Sequence, residues 1–287
     1  MHSSSWVVLK SLLHKKDPAL VKVPLPFLGE KSQIRLQSAP FFERPIQSTS
    51  FDLKPLLNET HYSWFLPILQ KTNSKEWPFF FALFDLKTQS KLKKKLKKNP
   101  LTARLTPAAE GYFQEKLLNH LVQEHPALLP KAYLPFSLLS PLLKLSKKQL
   151  VELIDLIALF DLVKEYSKII SRTTLQKLNT ILSDKEKFFL KKYRHYQEPF
   201  PLSPLNLAQF QGNASSLKIL LHKRGLMRLA KALSFQYFDL SWHLAHTLDL
   251  GRGRALLELA TQQEKPRIVE VCLKGILEIL PQIKNEV

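Results

Sequence analysis

The feature that most constrains the fold is the stretch from Leu217 to Ala260, which carries a dense series of amphipathic helical turns. Gly225, Gly251 and Gly253 punctuate it. The whole chain holds only seven glycines against nineteen prolines. Because β-architectures and nucleotide-binding loops both use glycine heavily, this ratio argues against either. We therefore expect a mainly α fold, with a multi-helical C-terminal domain and a smaller, irregular, proline-rich N-terminal region.

Helix-start signals place several helices in the second half of the chain. Thr106, Ser146 and Ser183 each stand where an N-cap hydroxyl belongs. Gln149 and Glu186 follow two of them at the spacing of a capping box. The helix after Ser146 is apolar on nearly every side, which is typical of a central helix packed by neighbours all round.

Four or five short helices are expected beyond the middle of this domain. Their predicted bounds are Ser215–His222, Leu226–Leu233, Leu240–Leu248, Arg254–Gln262 and Pro266–Ile279. In this interpretation Gly225 closes one helix and Gly251 closes another, since a glycine after the last helical turn takes the left-handed conformation without strain.

The N-terminal part of the chain differs in composition. Residues 1–86 are expected to form an irregular mixed region, with a short helix around His61–Gln70 and a strand-like or buried apolar run at Trp77–Phe84. Residues 87–104 are interpreted as a basic linker, and residues 105–287 as the α-helical domain.

Charge is concentrated in the first third. The net charge is +19, and residues 1–100 hold 17 Lys and Arg against 7 Asp and Glu. Much of the excess is the tract from Lys87 to Lys98, with no acid between Asp85 and Glu110. Such a tract attracts RNA, anionic lipid head groups or an acidic protein face, and a solvated linker explains it equally well. Its candidate partner-binding residues are Lys93, Lys94, Lys95, Lys97 and Lys98.

Cysteine content and hydropathy predict a cytoplasmic protein without a membrane span. The single cysteine, Cys272, excludes an intramolecular disulfide and is expected to be a small core residue. The longest fully apolar runs, such as Leu156–Phe160, are far shorter than the roughly twenty residues that cross a bilayer. The N-terminus lacks the long apolar region and cleavage site of a signal peptide, so none is expected.

No catalytic or metal-binding pattern emerges from the polar residues. His243, His246 and Asp249 stand at i, i+3 and i+6, which spreads the first and third by about 240° around a helix. Asp155 and Asp161, six residues apart, lie on opposite sides of theirs. We therefore expect histidines packed between helices, no metal, no cofactor and no enzymatic activity.

Two basic clusters in the C-terminal domain are candidate partner-binding sites. Gly251–Arg254 is either an anion nest at a helix start or, more simply, a boundary between two helices. In residues 221–231, cationic side chains stand on both sides of a glycine. This pattern is also typical of a last helical turn, where positive charges complement the helix dipole. The candidate residues are His222, Arg224, Arg228, Arg252 and Arg254.

Four segments carry a resemblance to a known family: residues 145–166, 182–193, 221–236 and 240–257. With their Leu, Gly and Arg spacings, they resemble helical proteins that chlamydia-type bacteria encode within type III secretion clusters. The span from about Leu145 to Ala260 is similar to the SctK/YscK-type adaptor of the cytoplasmic sorting platform. Residues 1–100 match no family.

The resemblance implies a non-catalytic, mainly α-helical scaffold in the bacterial cytoplasm, peripheral to the inner membrane. It would link the cytoplasmic domain of the secretion inner-membrane ring to the pod (C-ring-like) protein of the sorting platform. On this hypothesis the basic clusters dock acidic partner faces, so assembly is sensitive to salt. The alternative is a basic nucleic-acid-associated protein, whose binding would fall steeply with salt.

Overall fold

Helices dominate the part of the chain that the structure describes. The structure is a computed structural model, and it describes residues 6, 9–10, 13–14, 29–38, 53–122, 128–131, 134–195, 203–205, 207, 210, 212–262 and 264–284. Over these residues it contains thirteen α-helices and no strand. The mainly α, multi-helical fold predicted above is therefore confirmed. The chain forms two compact units, Met1–Phe136 and Ser137–Val287.

Six of the helices belong to the first unit. They are α1 (Glu30–Ser38), α2 (Leu53–Glu59), α3 (Phe65–Lys71), α4 (Trp77–Ala82), α5 (Leu86–Leu96) and α6 (Pro107–Leu121), with 3₁₀ turns at Tyr62–Trp64 and Ser74–Glu76. Their core is aromatic. Its fully buried members include Phe65, Leu69, Phe80, Phe81, Leu92 and Leu117.

The structure differs from two expectations for this unit. Of the two alternatives for Trp77–Phe84, the run is a buried apolar segment and not a strand: α4 occupies it to Ala82, and the Trp77 indole donates to the Leu69 carbonyl at 2.9 Å. An apolar run buried on several sides carries no period that distinguishes helix from strand. Residues 87–104 are not a linker either: α5 covers them as far as Leu96, and the two compact units divide between Phe136 and Ser137.

Seven of the described α-helices belong to the second unit. They are α7 (Lys147–Tyr166), α8 (Arg172–Ile181), α9 (Asp184–Lys192), α10 (Ala214–Leu233), α11 (Phe238–Thr247), α12 (Leu250–Ala260) and α13 (Pro266–Lys284), preceded by a 3₁₀ turn at Ser140–Lys144. The central position predicted for α7 is confirmed. It packs against α9, α10 and α13, and eleven of its twenty residues are buried.

Local signals located the starts of these helices correctly. The Ser146 hydroxyl accepts from the Gln149 backbone N–H at 3.3 Å, while the Gln149 side chain accepts from the Ser146 N–H at 2.9 Å. Ser183 forms the same capping box with Glu186. The Thr106 hydroxyl caps α6, as predicted. Each of these contacts satisfies backbone N–H groups that have no partner within the helix.

The glycines do not end helices where the sequence predicted. Gly225 lies inside α10, which runs unbroken from Ala214 to Leu233. Gly251 and Gly253 lie in the first turns of α12, which begins at Leu250. The reason at Gly225 is helix packing. A Cβ there would stand 1.8 Å from the Ile154 carbonyl oxygen, so glycine lets α10 cross α7 at close range.

Candidate functional site

A buried cluster of charges joins α7 to α10. Arg228 holds Asp161 with two hydrogen bonds, Nη2 to Oδ1 at 2.7 Å and Nε to Oδ2 at 3.2 Å. Arg224, one turn earlier on α10, brings its Nε to 3.4 Å from Asp161 Oδ2. All three side chains are buried, and Arg228 is only 1% exposed. Bidentate pairing of a guanidinium with a carboxylate is geometrically specific, so it fixes how the two helices meet.

Arg224 and Arg228 are therefore not the exposed partner-binding residues that the sequence predicted. Their stems lie on the same side of α10 as the buried Leu221 and Leu229, and this side faces α7. Sequence reasoning placed them outside because arginine is rarely buried. A signal was available: Asp161 interrupts an otherwise apolar stretch of the central helix, and a buried carboxylate requires a cationic partner.

The same cluster holds a neighbouring segment of the chain. Arg224 donates to the Ser203 hydroxyl at 3.2 Å and to the Ser203 carbonyl at 2.8 Å. Nearby, the Glu165 carboxylate accepts from the Leu205 backbone N–H at 3.0 Å. Two guanidinium groups share one carboxylate here, so neutral oxygens of Ser203 complete the hydrogen bonding of Arg224. The cluster thus fixes residues 203–205 against α7 and α10.

His222 lies at the edge of this seam. Its Nδ1 is 2.6 Å from Asp155 Oδ1, and the two side chains are 20% and 52% exposed. The two aspartates of α7 therefore do not meet, as their spacing predicted: Asp155 pairs with His222 while Asp161 pairs with the arginines. Of the three α10 residues predicted to bind a partner, His222 alone stays partly open to solvent.

The junction Gly251–Arg254 starts a helix and is not a loop. The Asp249 carboxylate caps α12, accepting from the Arg252 backbone N–H at 3.3 Å and from Arg252 Nη1 at 2.8 Å, with Lys147 Nζ 3.5 Å away. Burial acts to raise the pKa of Asp249, but the Arg252 N–H and guanidinium, together with Lys147, hold it below its ordinary value. Arg252 thus has an internal partner, whereas Arg254 is exposed.

The two histidines of α11 are packed in the interior. The His246 ring stacks on Trp242 with centroids 3.6 Å apart, and its Nδ1 is 2.8 Å from the Trp242 carbonyl oxygen. Burial, assisted by the neighbouring His243, lowers the pKa of His246 to about 3, so the ring is neutral near pH 7. No group of three His, Cys, Asp or Glu side chains in the described residues is placed to hold a metal ion.

The lysine tract lies on a folded helix. Asp85 caps α5 by accepting from the Thr88 N–H at 2.7 Å, and Leu92 of the same helix is fully buried. Lys97 ends the helix in the left-handed conformation, with φ 54°. The exposed members of the tract are Lys87, Lys91, Lys94, Lys95, Lys97 and Lys98, and Lys93 is half-buried.

Comparison with known proteins provides no relative. The chain matches no protein-family model, no curated protein and no solved structure. Among the described helices, none is both long and apolar enough to cross a membrane. A functional assignment therefore depends on the residue-level resemblance and on the surfaces and contacts described above.

Proposed function

We propose that this chain is a non-catalytic adaptor of a bacterial type III secretion apparatus. In this role it links the cytoplasmic domain of the inner-membrane ring to the pod protein of the sorting platform. It acts in the bacterial cytoplasm and is held peripheral to the inner membrane. The resemblance of residues 145–260 to SctK/YscK-type adaptors supports the proposal, and it covers the helices α7 to α12.

The structural observation that supports an adaptor is the presence of two separately cored units. The first is built on an aromatic core around Phe65 and Phe80, and the second on the apolar helix α7. A unit with its own core keeps its shape without help from the other, so each offers an independent binding surface. Linking two partners requires two such surfaces on one chain.

The buried cluster Asp161–Arg224–Arg228 supports the same role through rigidity. It fixes the crossing of α7 and α10 and the position of residues 203–205. A connector passes force and position between its partners, and a preorganised surface binds with less loss of conformational entropy. Removing one member of a buried ion pair is strongly destabilising because it leaves the other charge buried without a partner. Pulling the two helices apart would separate the same charges, so this part of the molecule resists deformation.

Affinity capture tests the proposal. The full chain is used to capture partners from lysate of the organism that encodes it, with and without nuclease treatment and at low and high salt, and the retained proteins are identified by mass spectrometry. We expect ring and pod proteins, recovered less well at high salt. Recovery instead of ribosomal or nucleoid material that disappears on nuclease treatment would refute the adaptor and favour a nucleic-acid-associated protein.

A charge reversal at Arg254 sharpens the experiment. Arg254 is exposed, whereas Arg252 is committed to Asp249, so Arg254→Glu changes the surface without removing the α12 cap. Arg194→Glu, at an exposed position of the same unit, is the matched control for net charge. We expect Arg254→Glu to reduce partner capture several-fold more than the control, and equal capture by the two variants would remove Arg254 from the docking surface.

A further inference from the structure

The solvent side of α5 carries a continuous stripe of lysines. Lys87, Lys91, Lys94 and Lys95 are exposed and, at helical spacing, fall within about 100° of arc. Along the axis they span about 12 Å. Leu92 anchors the helix in the core of the first unit, and the Gln89 amide donates to the Phe84 carbonyl at 2.8 Å. The stripe is therefore presented by a folded, anchored helix and not by a flexible tail.

Within the described residues Asp85 offsets part of this charge, because hydrogen bonds from Thr88 and then the charges of Lys87 and Lys91 lower its pKa. None of the lysines from Lys87 to Lys98 forms a salt bridge with a described carboxylate, and the sequence has no acid between Asp85 and Glu110. Among the described residues, the aromatic rings that lie beneath these lysines are Tyr62, 5.4 Å from the Lys91 ammonium, and Trp77, 5.2 Å from that of Lys98. An external polyanion is the natural partner of such a field.

From these observations we propose that the lysine stripe of α5 binds the surface of an anionic phospholipid bilayer. This interaction is additional to the adaptor role and does not depend on it. Every cation from Lys87 to Lys98 is lysine. A lysine ammonium acts as a point charge that suits a fluid, diffuse array of head groups, whereas bidentate recognition of fixed carboxylates or phosphates favours arginine.

A nucleic acid fits this surface less well. Proteins that hold single strands stack bases on open aromatic faces. Here Trp77 is buried, and Tyr62 packs against the core beneath Lys91, so neither ring offers an open face to a base. A folded acidic protein would need carboxylates at positions that match the lysines. An anionic bilayer presents its charges as a fluid array and needs no matching shape.

Vesicle flotation with the full chain tests the proposal. We expect the protein to float with vesicles made of equal parts phosphatidylcholine and phosphatidylglycerol, and not with phosphatidylcholine alone. The variant Lys87→Gln, Lys91→Gln, Lys94→Gln, Lys95→Gln should bind far more weakly, since each lysine near an anionic surface changes the partition coefficient about five-fold. Because these side chains are exposed, helix content by circular dichroism should not change.

A control of identical charge decides whether α5 itself is responsible. Lys168, Lys191, Lys218 and Lys223 are exposed in the second unit, and replacing all four by Gln gives the same net charge. This control should float like the wild type. Equal losses in the two variants would overturn the proposal, as would wild-type protein that ignores anionic vesicles but binds polyglutamate or RNA.

Discussion

The substitution Gly225→Ala tests the close crossing of α7 and α10. The added Cβ would lie 1.8 Å from the Ile154 carbonyl oxygen and 2.7 Å from its carbonyl carbon. Both are backbone atoms of the central helix, so no rotamer change can relieve the clash. The two helices must separate by roughly 1.5 Å to restore ordinary contact. That movement would also stretch the hydrogen bonds between Arg228 and Asp161 just along the seam.

Two opposing terms set the size of the effect. Alanine is favoured over glycine inside a helix by about 1 kcal/mol. Overpacking a close interface costs about 1–3 kcal/mol, and weakening a buried ion pair adds to it because a fully broken pair costs about 3–5 kcal/mol. We therefore expect Gly225→Ala to lower the free energy of unfolding of the second unit by about 2 kcal/mol.

Urea unfolding monitored by ¹⁹F NMR of protein labelled with 5-fluorotryptophan separates the two units. Trp242 is the only tryptophan of the second unit, while Trp64 and Trp77 report on the first. Only the Trp242 transition should move to lower urea. The control is Gly111→Ala in α6, where a Cβ meets nothing within 4 Å and should stabilise the first unit by about 1 kcal/mol. A Gly225→Ala protein as stable as wild type would refute the close crossing.

Three further predictions concern the interior of the second unit. Asp161→Asn leaves Arg228 without its buried countercharge, so the free energy of unfolding should fall by about 3–5 kcal/mol in urea titrations; an unchanged midpoint would contradict the buried pair. Asp249→Ala should lower the free energy of unfolding by about 1 kcal/mol at neutral pH, because the α12 cap is lost. The pKa of Asp249 in the folded protein lies below its ordinary 3.8, so the difference in stability between wild type and variant should shrink as the pH falls below 3.8. A difference that does not change with pH would contradict the lowered pKa. His246 is neutral in the folded protein, whereas in the unfolded chain it is protonated below about pH 6.5. The free energy of unfolding should therefore fall by up to about 1.4 kcal/mol per pH unit between pH 6.5 and pH 3. The variant His246→Gln should lack this contribution to the pH dependence.

Local signals predicted the helix starts because a cap is a short-range interaction. Ser146 with Gln149 and Ser183 with Glu186 satisfy backbone groups within one turn, so their spacing in sequence is enough to identify them. The same reasoning failed at Gly225. A glycine after cations is typical of a helix end. Here, however, glycine is needed because another helix, about 70 residues away in the chain, approaches too closely for a Cβ.

Residue type also misled the assignment of surfaces. Arginine is usually exposed, and nothing local to Arg224 or Arg228 indicates that both face Asp161 across a helix seam. The lysine tract was interpreted as a linker because its apolar side amounts to little more than Leu92 and Leu96, too few to give a clear helical period. In both cases long-range packing decided the outcome.

The central claim is that one chain binds two secretion proteins through its two units, and cross-linking in the native cell tests it most directly. A lysine-reactive cross-linker followed by mass spectrometry identifies which peptides of this chain join to each partner. The adaptor account predicts that ring peptides link to one of the two units, Met1–Phe136 or Ser137–Val287, and pod peptides to the other. Ring and pod peptides linked to the same unit, or links to neither protein, would contradict it.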